Sequence, residues 1–378
     1  MDARFRIRKN PMTISLRSFI FSCIFAIFVC ISASGAEYAN PVVVVDGNGG
    51  AYWGSAADPC VVRAEDGSLY CFVTGRKVFR SEDGCRWNVV TEQLFPKPTW
   101  GNAYYGKPIK AEVWAPDVCK VNEKWIYYYS LSGWGMPCGI GYAVADEIGG
   151  PYQDMGPMFT CREIGIENCI DPQVIVEDDG SVFMVMGSFR GLYLIELTSD
   201  GLACRNGTAY QKAHKTLIAG YPGPWDGATY EGSWILKKDG FYYYFGSVGT
   251  CCQGRESTYH VRVARSKDIR GPYCGKDGIP LTEAGHGKTY GELVVHAGDS
   301  PAKQVFGPGH NSVLQDDAGE YWLCYHAYTE LDACRTRHFF LDRLLWDEDG
   351  FPYVKDCLPS FQETLPGPNL KNPIPERF

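Results

Sequence analysis

Four residues able to exchange protons, Asp58, Asp171, Glu231 and His310, each open a similar stretch of this 378-residue chain, and Ala115 opens a fifth. The stretches read DPCVVRAEDGSLYCFVTG, APDVCKVNEKWIYYYSLSG, DPQVIVEDDGSVFMVMGS, EGSWILKKDGFYYYFGS and HNSVLQDDAGEYWLCYHA. In each, a turn residue (Gly67, Lys124, Gly180, Gly240 or Gly319) falls nine positions after the opener, which predicts equivalent places for all five openers. Three carboxyl groups gathered at one point repel one another unless one keeps its proton. Like charge and partial burial then raise one carboxyl pKa while another stays ionised. Glycoside hydrolysis needs that split, because one group protonates the leaving oxygen and another deprotonates the attacking water. Singly, each residue has an ordinary alternative: an Asp-Pro turn, a paired strand-end carboxylate, a hydrogen-bonded core histidine. The shared offset favours a site over four separate accidents.

The elements that must position these groups are hairpins. Each stretch has an apolar strand, a polar turn and an aromatic strand, helical periodicity is scarce, and DG, GG, GS and NG turns punctuate the chain, so the fold class is all-β. Five repeats of this size, each with room for a few short strands, predict a five-bladed β-propeller whose inner strands line a central axis, with the openers ringing one mouth. Trp53, Trp114 and Phe189 flank the openers and offer faces on which a sugar can stack. The tail LPGPNLKNPIPERF is too rich in proline for more than a strapped-down terminus.

Residues 1–36 have five basic residues, an apolar run shorter than a bilayer span and small residues at Ser34 and Ala36, the pattern of a cleaved export signal. Residues 37–378 then form the propeller, secreted or periplasmic and free of the membrane. Cleavage removes five basic residues and one acidic residue and moves the net charge from −8 to −12, which excludes nucleic acid and other polyanions as partners. Fourteen cysteines remain, an even number that permits disulfides in an exported chain without revealing their pairing. Cys71 and Cys324, inside apolar strands, read equally well as buried thiols. No CxxC pair occurs that would indicate a metal site.

The ADP at Asp58, WAPDV at Trp114, NCIDP at Asn168, YEG at Tyr230 and GPGHN at His310, in that order, resemble the motifs of glycoside hydrolase family 43 over essentially the whole chain after the signal. The segments from Ser188 (SFRGLYLIEL) and Ser247 (SVGTCCQGRESTYHVRVARSKDIRGPY) are similar to its arabinanase branch. The resemblance implies an inverting, five-bladed propeller enzyme with Asp58 as general base, Glu231 as general acid and Asp171 as the carboxylate that raises and orients the acid. It implies sugar contacts from Trp53, Trp114, Asn168, Ser188 and Phe189. No cofactor is needed for the chemistry, although calcium held largely through water is implied near His310. The expected substrate is a plant cell-wall polysaccharide, α-1,5-linked L-arabinan, and a monomer is expected. The alternatives are an exo-acting α-L-arabinofuranosidase or β-xylosidase of the same family and a non-catalytic glycan-binding propeller. The departures at Gly232-Ser233 and at Cys169 in NCIDP bear on the sugar and the chain end preferred.

Overall fold

The computed structural model describes residues 35–223, 230–300 and 302–370, so the expected export signal lies outside the described residues except for its last two. The described chain forms five antiparallel sheets around an axis, with only three short α-helices: Gly101–Tyr105, Cys161–Ile164 and Thr208–His214. The inner strands, in blade order, are Cys60–Arg63, Glu112–Val121, Gln173–Val176, Glu231–Lys238 and Val305–Gln315. Each contacts the next, and the fifth returns to the first, which is the five-bladed propeller expected from the repeats. Four blades have four strands; the first gains a fifth, Val43–Val45, which runs parallel to its outer strand Arg86–Thr91.

The unbroken aromatic runs of the second strands follow from this closure. A sheet covered on both faces has no solvent side, so the usual polar alternation disappears. In Lys124–Ser132, Tyr127 and Tyr129 pack into the core shared with blade one, while Ile126 and Tyr128 pack into the core shared with blade three. Tyr244 and its neighbours Tyr243 and Phe245 divide in the same way between blades three and five. Cys71 and Cys324 are fully buried in the core between blades five and one, in keeping with their setting in apolar strands.

The inner strands carry a device that the sequence pattern did not reveal. Four of the five openers, Asp58, Ala115, Asp171 and His310, adopt left-handed φ values of 58°, 37°, 58° and 48°, a sparsely allowed region for residues with a Cβ. Regular pairing begins two residues later at Cys60 and Gln173, and resumes at Asp117 and Ser312 after an interruption. In blade four the left-handed residue is Gly232 (φ 59°) and pairing resumes at Trp234. Glu231 is therefore one position before the structural equivalent of the other openers, a correction to the equal-offset expectation. The connections differ in length: Lys238 pairs directly with Phe241 across Asp239-Gly240 and Val121 with Lys124 across Asn122-Glu123, whereas Arg63 and Leu69 bracket a five-residue connection, so nine positions from the opener reaches the turn at Gly240 but already the next strand at Lys124.

The ends are tied to the ring. Glu37–Tyr38 pairs with Leu365–Pro366, and the Asn369 backbone donates its N–H to the Asp316 carboxylate and accepts the Asp317 N–H, so the proline-rich tail is strapped down as far as it is described. Buried Asn40 accepts from the Leu341 N–H (2.9 Å) and donates to the Leu341 carbonyl (2.8 Å) and the Ser360 hydroxyl (2.8 Å). Removing it strands buried backbone groups of blade five. Asn40→Ala should lower the unfolding free energy by about 2–3 kcal/mol in denaturant titration, with the specific activity of folded protein unchanged. An unaltered midpoint would mean that this segment does not clamp the ring.

Candidate active site

At the mouth of the axis the openers meet in a cavity of about 470 Å³ lined by Asp58, Asp171, Glu231 and His310 together with Trp114, Asn168, Phe189, Tyr259 and Arg337. Each left-handed residue is fixed by a side chain of the preceding blade that accepts its backbone N–H. Thr74 Oγ1 receives Ala115 (2.8 Å), Ser130 Oγ receives Asp171 (2.8 Å), Ser247 Oγ receives His310 (2.8 Å) and His326 Nδ1 receives Asp58 (3.0 Å). In blade four, Asp171 Oδ2 itself receives the Gly232 N–H (3.2 Å). Ser188, on the corresponding stretch of blade three, instead donates to Glu231 Oε2 at 2.7 Å. The shift in blade four thus frees Glu231 for a hydroxyl contact.

The three carboxyl groups are nearly buried and sit in different fields. Burial alone would raise Asp58, but the Arg337 guanidinium (Nη1–Oδ1 3.3 Å), the facing His310 Nδ1 and a 2.5 Å hydrogen bond from Thr74 hold it well below the usual carboxylate range. It is an anion across the working pH range. Asp171 is pushed well up by burial, then by the charges of Glu231 and Asp58. Glu231 is raised by burial, and hydrogen bonds from Ser188 and Tyr259 moderate the rise. Asp171 and Glu231 therefore form a tightly linked pair that retains a proton beside the ionised Asp58.

A match to the family model "Glycosyl hydrolases family 43" spans residues 51–352. The chain belongs to that family. Among its relatives is the extracellular exo-α-(1→5)-L-arabinofuranosidase of Cellvibrio japonicus, 30% identical over 312 residues that cover 79% of this chain and 86% of the relative. Another is the extracellular endo-α-(1→5)-L-arabinanase 1 of Bacillus subtilis, 30% identical over 299 residues, 75% of this chain and 84% of that protein. The solved structure of the Cellvibrio cellulosa α-L-arabinanase with arabinohexaose superposes with a TM-score of 0.67 at 29% identity, covering 80% of this chain and 96% of the other. As a member of family 43 the chain is a glycoside hydrolase that acts with inversion and needs no cofactor for its chemistry.

Within this family 43 frame, the residues expected to contact sugar divide. Trp114, Asn168 and Phe189 line the cavity. Ser188 is buried and hydrogen-bonded to Glu231, so it acts on a carboxyl group rather than reaching into the cavity. Trp53 is 60% exposed, packs edge-on against His338 at 6.2 Å and is not part of the cavity lining. The outer aromatic is Trp134, 75% exposed and 5.6 Å from Trp114. Arg337, Thr74, Tyr259 and His326 also went unnoticed in the sequence. A signal existed for two of them: Thr74 and His326 stand sixteen residues after Asp58 and His310, as Ser247 stands sixteen after Glu231. Arg337 has none, being 279 positions from the carboxylate it pairs with.

The donors around His310 bear on the implied calcium. Its Nδ1 faces Asp58 Oδ1 at 3.3 Å, which leaves Nε2 with a lone pair. His326 accepts through Nδ1 and so carries its proton on Nε2, which finds no partner among the described residues. No group of three or more His, Cys, Asp or Glu side chains among the described residues is arranged to hold a metal. A hard cation wants about six to eight oxygens, so these side chains fit only one held mainly through water.

Gly232 is where this arrangement tolerates no change. At φ 59° a Cβ would lie 3.0 Å from the His310 ring atoms Cγ and Nδ1. Gly232→Ala should displace the ring from Asp58 and cost at least about tenfold in kcat/KM, while losing about 1–3 kcal/mol of stability. A variant with wild-type kinetics would show that the His310–Asp58 contact has no part in turnover.

Proposed function

We propose that this enzyme hydrolyses α-1,5-linked L-arabinan within the chain, by direct displacement with inversion. Asp58 takes a proton from the water that attacks the anomeric carbon, and Glu231 gives its proton to the departing glycosidic oxygen, so one proton is taken up and one released as the bond breaks. Asp171 accepts the Gly232 N–H and is linked in titration to Glu231, whose own rise comes from burial and the charge of Asp58. The observation that carries the reading is the convergence, in one sugar-sized cavity, of a carboxylate fixed as an anion with a carboxyl pair that retains a proton. Relatives named as arabinanases and an arabinohexaose complex at 29% identity support the sugar. The exposed Trp134 beside Trp114 supports action along a chain, since it extends a stacking surface beyond the carboxyl groups. His310 Nε2 would help to hold, through water, a calcium ion that would supply positive charge to the site. Residues 1–36 would direct the chain out of the cytoplasm, as the extracellular names of the relatives support.

The pH profile follows from the directions of the shifts. Asp58, lowered, stays a base to low pH, and Glu231, raised, stays an acid to higher pH. Replacing Arg337 by Met removes the cation that holds Asp58 down and, more weakly, Glu231, so the acid limb of kcat/KM should move to higher pH and the basic limb should rise by less. An acid limb that did not move would take the base role from Asp58.

Glu231→Gln and Asp58→Asn should each lower kcat on linear arabinan by about 10²–10⁴-fold with the fold retained. The deciding assay follows product size from debranched arabinan, xylan and the matching aryl glycosides. A ladder of arabino-oligosaccharides is expected. Arabinose alone from the first time point would replace chain-internal cleavage with exo action, and no product from any substrate would leave a glycan-binding propeller.

A further inference from the structure

Beyond the second strand of blade four, Phe241–Val248, the chain runs through Thr250-Cys251-Cys252-Gln253 and brings two adjacent cysteines to the wall of the cavity, beside Glu231, Tyr259 and Arg337. Their Sγ atoms are unbonded in this structure at 2.6 Å, beyond the ~2.05 Å of a disulfide bond but closer than two separate thiols pack, and Cys252 takes a left-handed φ of 66°. As thiols they would be an awkward lining. Cys252 faces the charge of Arg337, and Cys251 that of Glu231. A thiolate there would compete with Asp58 for the one guanidinium that keeps Asp58 ionised. Joined to each other, the same sulfurs carry no charge and no exchangeable proton, and they present a polarisable surface suited to the C–H face of a sugar.

We propose that Cys251 and Cys252 form a disulfide between neighbouring residues in the exported enzyme, and that this small ring is a rigid part of the sugar-binding wall. In its formation the two thiols lose two protons and two electrons to the disulfide of a thiol–disulfide oxidoreductase, which leaves as a dithiol. Neighbouring Cα atoms are about 3.8 Å apart, below the usual ~4.4–6.8 Å of bridged cysteines. This bridge should therefore open at reductant levels that spare ordinary disulfides, returning ionisable sulfur to the site. The ligand assigned to the wall rests on the arabinan reading; the oxidation state of the pair does not.

The test begins with the folded, exported enzyme, alkylated without reduction and digested after Lys and Arg. The peptide Asp239–Arg255 contains these two cysteines and no other. It should be unalkylated and two hydrogens lighter than its dithiol form. Two alkyl groups on this peptide, or a cross-link from it to a peptide bearing Cys334, would overturn the bridge whatever the enzyme's substrate. Mild reduction should then raise KM for arabinan at least about threefold while kcat changes less, reversibly on reoxidation. The Cys251→Ser, Cys252→Ser double variant should show the raised KM and no further response to reductant. An unchanged KM after complete opening of the ring, or the same reductant response in the double variant, would remove the pair from the sugar wall.

Discussion

The backbone N–H groups on the axial edge of each inner strand have no strand beside them, and at Val61, Val118, Val174 and Ile235 they belong to buried residues, where an unpaired donor is costly. The structure meets this demand from the preceding blade. Cys60 Sγ accepts the Val118 N–H, Asp117 Oδ2 the Val174 N–H, Gln173 Oε1 the Ile235 N–H, and Ser312 Oγ the Val61 N–H. One layer nearer the mouth, the left-handed openers are held in the same rotational sense. Side chains placed by neighbouring blades thus set the diameter of the ring and the aim of the residues at its mouth. The acid–base groups stand on strands rather than loops, so their spacing inherits the rigidity of the whole circle.

The electrostatics of the mouth follow from that spacing. Three carboxyl groups at comparable depth would titrate alike if their neighbours were alike. They separate because the cation, the His310 imidazole and a hydroxyl all face Asp58, while Asp171 and Glu231 mostly face one another and apolar or hydroxyl groups. Half-buried Arg337 is itself held in its charged form by Asp58 against the cost of its desolvation. The ion pair and the carboxyl pair are two halves of one balance: the charge fixed on Asp58 is part of what keeps a proton on its neighbours.

How much of this was legible depends on the range of the signal. The five hairpins, the all-β class and three cavity carboxyl groups could be read because each is written within some twenty residues of sequence. The off-by-one position of Glu231 was hidden because Gly240 falls at the common offset even though its hairpin is tighter. Trp53 was misjudged since nearness in sequence to Asp58 says nothing of the face on which a ring lands. Arg337 and the role of Ser188 depend on contacts between blades, which no local pattern encodes.

The alternation of Tyr127 and Tyr129 with Ile126 and Tyr128 shows each middle strand shared between two cores. In an open array of repeats the terminal units can fray and leave the others standing. Here there is no terminal unit, and opening any one interface exposes half of two blades at once. Melting should therefore be cooperative around the circle, and the seam between the first and last blades, where Asn40 and the strapped tail lie, is where mechanical or proteolytic failure would begin.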